Sequence, residues 1–450
     1  MRQKELPRTL GLVDALAIVI GIVIGGGIFL VPNLVARNLG DPVSIIAVWV
    51  FAGVASFFGA LACAELGAAL PSTGGQYVFL REIYGPMTGF LCGWSMFLVA
   101  RTAQVSWLAV ILSLYVSYFV PLTPLEGKLL GIGTIVLFAG INYRGVSMGA
   151  LVQKAFTSAK LIGLLIIIGS ALLYRGNPPV ATPSAVVPLS LGHFGIALIA
   201  CLLAYDGWVQ VTYVAGEIKN PNRNILLALA GGVGAVILIY VSANLAYLHV
   251  LSLSEIAASE HVGATAAERT LGAGGGRLVA VVILLSIIGT LNGCFLTSPR
   301  VFFAQARDGL FFAKFTEVHP RFQTPWFAIV AQAGWSIVLL LSGTYETLID
   351  YAMMALWIFY ALMVLGVILL RRSRPELARP YKMWGYPVTP VFFVAVATYF
   401  IVNTAINRPA PSLASLGLIA TGVPVYFLWR KKKEGQAAEE LPVRTPRRRA

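Results

Sequence analysis

Three glycines in a row, Gly25-Gly26-Gly27, interrupt an apolar run that extends from Leu12 to Val35. A run of this length can cross a bilayer, which takes about 20 residues. Consecutive glycines weaken a helix and leave peptide groups unpaired where no water reaches them. At membrane depth such a break survives where it lines a protein cavity. The chemistry on offer is that of bare backbone. Unshielded N–H groups, reinforced by the positive end of the following half-helix, attract an anion such as a carboxylate. Freed carbonyls take a cation or an ammonium. The alternative is packing, because Gly21 and Gly25 form a GxxxG pair that lets two helices approach.

A second interruption tips the balance toward a cavity. The apolar stretch Gly195 to Ala204 runs into Tyr205-Asp206-Gly207-Trp208, an aspartate and a glycine in mid-span. Interrupted segments at matching places in two halves point to an inverted repeat with a binding site between the breaks. The candidate lining is then Val23, Ile24, Gly25, Gly26 and Gly27 on one side, with Leu203, Ala204, Tyr205 and Asp206 on the other. The carbonyls of Val23 and of Leu203 to Tyr205 suit an amino group, and the glycine amides suit a carboxylate. A free amino acid is the simplest ligand carrying both charges.

Ionisable residues inside apolar spans are rare and usually functional. Lys160, in Phe156-Thr157-Ser158-Ala159-Lys160, could stand where a coupling cation would sit, or could bridge carbonyls with no further role. Asp206 could meet the ligand or cap the second half of its helix. Arg101 has three open readings: facing the cavity, pairing with Asp206, or filling a polar packing site. Lys154 reads as a snorkelling lysine near a helix end. Ser286, Thr290, Asn292 and Ser298 form a polar stripe that could face Lys160, or could serve as interhelical hydrogen-bond glue. Phe29, Tyr205 and Trp208 are candidate gates. No phosphate loop, HExxH or GxSxG occurs, and the four histidines fall at helix ends or in loops. Enzyme activity, a metal centre and cofactors are therefore not expected.

The elements that must position these residues are membrane helices. Of 450 residues 58% are hydrophobic and 12% charged, with a mean hydropathy of +0.81, against about 25% charged in ordinary soluble domains. Apolar runs predict twelve spans near 10–37, 44–70, 86–119, 128–143, 147–174, 193–215, 225–249, 277–305, 325–342, 347–370, 387–406 and 411–430. The loop between the seventh and eighth, 251–277, suggests short interfacial helices around Ser254 and Ala264 to Glu268. A net charge of +14 does not indicate nucleic acid, because the basic residues gather in alternate loops and at both ends. Arg2, Lys4, Arg8, Arg144, Lys219, Arg307, Arg371, Arg374 and Arg379 fall on one side, which the positive-inside rule makes cytoplasmic together with both termini. The cluster Arg430 to Lys433 suits anionic lipid heads. All four cysteines lie in apolar runs and are expected to pack rather than pair.

These residues resemble the amino acid–polyamine–organocation permeases. Ile20-Gly21-Ile22-Val23-Ile24-Gly25-Gly26-Gly27-Ile28-Phe29 is similar to that family's helix-1 motif, which usually reads Gly-Ser-Gly-Ile-Phe. Ala204-Tyr205-Asp206-Gly207-Trp208 with Glu217-Ile218-Lys219-Asn220-Pro221 resembles its helix-6 motif. Asn292-Gly293, Ser298-Pro299-Arg300 and Ala306-Arg307-Asp308-Gly309 resemble helix 8 and its loop, and Arg379-Pro380-Tyr381-Lys382 with Gly385-Tyr386-Pro387 the approach to helix 11. Within the family the likeness is to L-type amino acid transporters and bacterial serine/threonine exchangers.

The resemblance implies an all-α fold with a leucine-transporter-like five-plus-five inverted repeat, about 10–175 and 193–370, and two extra helices, about 387–430. One transport domain, 1–432, would be followed by a basic disordered tail, 433–450. It also implies substrate held at the breaks of helices 1 and 6, and a helix-5 lysine, matching Lys160, in place of sodium, with Thr290 and Ser286 beside it. Two departures stand out. Gly26 replaces a small hydroxyl residue, and Leu203 stands where many L-type members carry a gating phenylalanine. Pro121-Leu122-Thr123-Pro124 lacks the cysteine that eukaryotic members use to link a heavy subunit, so no such partner is expected and the chain is expected to act as a monomer. The expected activity is sodium-independent amino acid exchange or facilitated flux in a bacterial cytoplasmic membrane. A polyamine or organic-cation carrier and a non-transporting amino acid sensor are the alternatives.

Overall fold

The computed structural model describes residues 6–176, 190–343 and 345–439. Within them the regular elements are helices, apart from one isolated bridge between Leu10 and Ile218. Ten helices are long and apolar enough to cross a membrane, and the pair Leu12–Val23 and Gly27–Asn38, bent by 41°, adds one more. Trp326–Ser342, at 17 residues, is the remaining expected span. In chain order helix 1 is the bent pair, helix 2 is Pro42–Ala69, helix 3 Pro86–Ser117, helix 4 Pro124–Tyr143 and helix 5 Val146–Leu172. Helix 6 is Leu191–Ala204 continued by the 3-10 segment Trp208–Glu217, and helix 7 is Pro221–Val250. Helix 8 is Gly275–Thr297, extended by Pro299–Arg307, and helices 9 to 12 are Trp326–Ser342, Tyr345–Ser373, Val388–Asn407 and Pro409–Glu439. The last helix therefore continues past Lys433, where a disordered tail was expected to begin, and residues 440–450 lie outside the described residues.

Local chemistry sets the helix starts. Proline occupies the first turn of helices 2, 4 and 7, where its missing N–H costs nothing. Asp41 caps helix 2 by accepting from the Ser44 amide at 2.8 Å, and Thr123 with Glu126 forms a capping box on helix 4. Short helices at Leu253–Ala258 and Val262–Leu271 occupy the loop where interfacial helices were expected. There Arg269 pairs with Glu255 and, as the main cause, holds its carboxyl down at about 2.

The first half of helix 1 packs on helices 5, 7 and 8, and its second half lies on helix 6. Helix 2 packs on helices 6 and 7, and helix 3 on helices 4, 8, 9 and 10. Both breaks are thus enclosed by other helices. On the side of the chain termini the enclosure is sealed. The amides of Thr9 and Leu10 donate to Glu217 O at 2.9 and 3.0 Å, and Lys219 N donates to Leu10 O at 2.8 Å. Glu217 also holds Arg300 at 2.8 Å, with both side chains wholly buried. Losing either partner of such a pair would strand a buried charge. Glu65 anchors Arg371 at 2.6 Å and the Met383 amide at 2.7 Å, tying helix 2 to the link between helices 10 and 11. Lys154, read as a snorkelling lysine, pairs with Asp14 at 2.7 Å. The four cysteines are buried and free.

Candidate functional site

The helix-1 break follows directly from its glycines. Regular helix stops at Val23, resumes at Gly27, and leaves Ile24, Gly25 and Gly26 as a bend. The second half opens with the amides of Gly26, Gly27 and Ile28, which have no backbone acceptor among the described bonds. All three glycines are partly exposed, whereas Ile24 and Ile28 are buried. The glycines differ in what surrounds them. A Cβ on Gly25 would meet nothing nearer than Thr290 Oγ1 at 3.7 Å, and one on Gly26 only Leu30 Cδ1 at 3.7 Å. On Gly27 it would sit 2.9 Å from Ala204 Cβ and 3.1 Å from Ala204 Cα. Gly21, the first glycine of the GxxxG pair, would drive a Cβ into the Gln153 amide and the Thr157 hydroxyl. Gly21 and Gly27 therefore serve close approach, and Gly25 and Gly26 leave open space.

The helix-6 break faces it. Gly207, at φ 120°, adopts a backbone conformation that side chains disfavour, and a Cβ there would also meet Ile22 Cγ2 at 2.7 Å. Leu203, just before the break, is 37% exposed. Ala204 and Tyr205 are buried.

Lys160 joins the two themes of the sequence. Its Nζ donates to Gly21 O and to Ile24 O, both at 2.6 Å, and the whole residue is buried. It holds the carbonyls that the break sets free. Thr290 adds its hydroxyl to Gly21 O at 3.3 Å while bonding Ser286 O at 3.0 Å. The Ser286 hydroxyl is buried without a partner. One turn below, Thr157 and Gln153 donate to Ala17 O at 3.1 and 3.3 Å. Asn292 of the polar stripe donates to Gln153 and to Gly149 O, and accepts from Asn142. Part of that stripe is thus hydrogen-bond glue between helices 4, 5 and 8.

Arg101, the residue with three readings, is wholly buried and combines two of them. It donates to Gln104 at 3.0 Å and to the hydroxyls of Tyr213 and Tyr360 at 3.1 and 3.4 Å. Tyr360 in turn donates to Asp206 at 2.8 Å. Arginine and aspartate are therefore linked through a tyrosine rather than directly. Asp206 spends its carboxylate on this relay, and the second half of helix 6 begins without a side-chain cap. Of the candidate gates, Phe29 is buried against Gly263, while Trp208 packs between Gly59, Tyr360 and Phe393.

Tyr240 was missed. Its hydroxyl lies 3.0 Å from Val23 O and 3.2 Å from Ala204 O, one donor shared by the two breaks. Val23 O also accepts from Gly25 N at 2.8 Å, which fills both lone pairs. The signal was a lone tyrosine within the apolar run Ile237-Leu238-Ile239-Tyr240-Val241, since a buried phenol needs a partner. No group of three or more metal-ligating side chains occurs among the described residues.

Two facing helix breaks inside a bundle of membrane helices define a membrane permease. The chain belongs to the amino acid permease family, whose profile matches residues 10–429. It is 35% identical over 431 residues to the serine/threonine exchanger SteT of Bacillus subtilis, covering 95% of this chain and 98% of that one. It is 32% identical over 445 residues to the human b(0,+)-type amino acid transporter 1, covering 97% and 91%, and 31% identical over 442 residues to the mouse Asc-type amino acid transporter 1, covering 95% and 82%. The protein is an integral membrane amino acid permease and not an enzyme.

Proposed function

We propose that the protein exchanges amino acids across the cytoplasmic membrane of a bacterium, without sodium, by alternating access. The observation that carries this is Lys160 on the carbonyls of Gly21 and Ile24, a side-chain donor where unwound carbonyls would otherwise call for a cation. The substrate carboxylate is assigned to the amides of Gly26, Gly27 and Ile28. The amino group goes to the break of helix 6, where Ala204 O keeps a lone pair beside Tyr240. Val23 O, already filled, is not assigned. The likeness to a serine/threonine exchanger supports exchange. The Arg101–Tyr360–Asp206 relay sets a cation against the acidic group and so supports a zwitterion over a polyamine.

One transport domain carries this activity, built from repeats about 10–175 and 193–370 with helices 11 and 12 added. Both termini lie in the cytoplasm, in line with the basic loops on that side, and no covalent heavy subunit is required. Proteoliposomes test the reading. Saturable uptake that is accelerated by an unlabelled amino acid inside, and unchanged when choline replaces sodium, is the expected result. Saturable binding without counterflow would identify a sensor, and no saturable uptake of any amino acid would refute the core assignment. Tyr240→Phe is expected to lower stability by about 1 kcal/mol, the net worth of one hydrogen bond, and to raise the half-saturating substrate concentration severalfold. Unchanged thermal unfolding and uptake in that variant would detach Tyr240 from the site.

A further inference from the structure

On the side of the chain termini lies a cavity of about 400 Å³, lined by no residue of either break. That size falls within the range of roughly 300–1,000 Å³ typical of small-molecule sites. Its walls bring together Arg8 of the N-terminal segment, Ser72 and Thr73 after helix 2, Arg81 of the short helix Gln76–Tyr84, and Arg307 and Asp308 at the end of helix 8. Three arginines thus face Asp308, and Glu82, paired with Arg81 at 2.8 Å, adds a second carboxylate behind the wall. Asp308 is already engaged, by Arg81 and by the Tyr77 hydroxyl at 2.6 Å. Glu217, beside the wall residue Gly216, is spent on Arg300 at 2.8 Å. Arg8, Arg81 and Arg307 exceed the carboxylates of Asp308 and Glu82 by one positive charge.

We propose that this cavity binds a phosphate group, from a lipid head or from free phosphate, and that occupancy holds this side of the permease shut. Guanidinium forks match phosphate oxygens in bidentate geometry, and the hydroxyls of Ser72 and Thr73 add donors. The gating follows from which segments form the walls. The N-terminal segment is bonded to Glu217 and Ile218, the loop after helix 2 donates from Gly74 to Tyr213 O at 3.0 Å, and Arg81 reaches across to helix 8. These are the contacts that must part for this side to open. An anion shared among Arg8, Arg81 and Arg307 binds the closed arrangement better, and so shifts the equilibrium toward it.

Thermal unfolding of the purified full chain, with inorganic phosphate against chloride at equal ionic strength, tests the site. A saturable rise in melting temperature is expected, with the half-saturating concentration raised about tenfold in Arg8→Gln and in Arg307→Gln, the loss of one charge-assisted contact each. If free phosphate is silent, nanodiscs of phosphatidylglycerol against phosphatidylcholine must produce the shift and the same variants must erase it, which assigns the site to a lipid head. Silence in both arms, or shifts that the variants leave intact, overturns the site. Exchange in proteoliposomes should fall when phosphate, or phosphatidylglycerol if that is the occupant, is present and recover in Arg8→Gln. A bound anion without effect on exchange overturns the gating.

Discussion

Replacing Lys160 by Met lowers amino acid exchange by roughly a hundredfold or more while the protein still folds. The stem of methionine keeps most of the lysine's volume, so what is removed is the pair of short bonds to Gly21 O and Ile24 O. Bonds to a charged group are worth about 1.5–3 kcal/mol each, and two of them account for at least a hundredfold in the population of the binding-competent break. The losses are unequal. Gly21 O keeps the Thr290 hydroxyl at 3.3 Å, but Ile24 is wholly buried and its carbonyl would be left with no described donor. The break should therefore re-form around Ile24, displacing the amides of Gly26 and Gly27 that follow it. Uptake into proteoliposomes, read beside thermal unfolding of the same preparation, decides the matter. A folded Lys160→Met or Lys160→Ala protein with wild-type exchange would remove Lys160 from the mechanism.

The breaks were legible because they violate a local rule. Glycines and an aspartate inside apolar runs have few structural excuses in a membrane, and both proved to be interruptions. Lys160 was legible for the same reason. Its two acceptors were not, since which carbonyls a helix break frees depends on the angle at which the chain resumes. The spans could be read from hydropathy alone, whereas the helix past Lys433 could not, because polar sequence carries no burial signal. Arg101 shows a different limit. Its type announced a partner, but the link to Asp206 runs through Tyr360, 259 residues along the chain from Arg101. Tyrosines in apolar helices are usually packing, so neither Tyr360 nor Tyr240 stood out as a carrier of the polar network. Helix packing brings these residues together, and no spacing in the sequence encodes it.

The glycine run itself provides the sharpest contrast. Gly27→Ala is expected to cost most of the transport activity, whereas Gly26→Ala retains it, although the two substitutions are chemically identical and adjacent. The added methyl at position 27 falls 3.1 Å from Ala204 Cα, a backbone atom that cannot turn aside, and 2.9 Å from Ala204 Cβ. Overpacking of this kind costs about 1–3 kcal/mol. Here it would be relieved by moving the two breaks apart, and a ligand held by both would lose one of them. At position 26 the methyl meets only Leu30 Cδ1 at 3.7 Å, an ordinary contact with a side chain. Gly26→Ser goes further and sets a hydroxyl beside the amides assigned to the carboxylate. It should shift the half-saturating substrate concentration severalfold with little change in stability. Concentration-dependent uptake by the three variants separates the possibilities. Equal losses at 26 and 27 would mean that helix propensity, not the approach to Ala204, sets the requirement for glycine. A Gly26→Ser protein with wild-type affinity would mean that the carboxylate does not bind at these amides, because a new donor placed against a bound anion cannot be neutral to it.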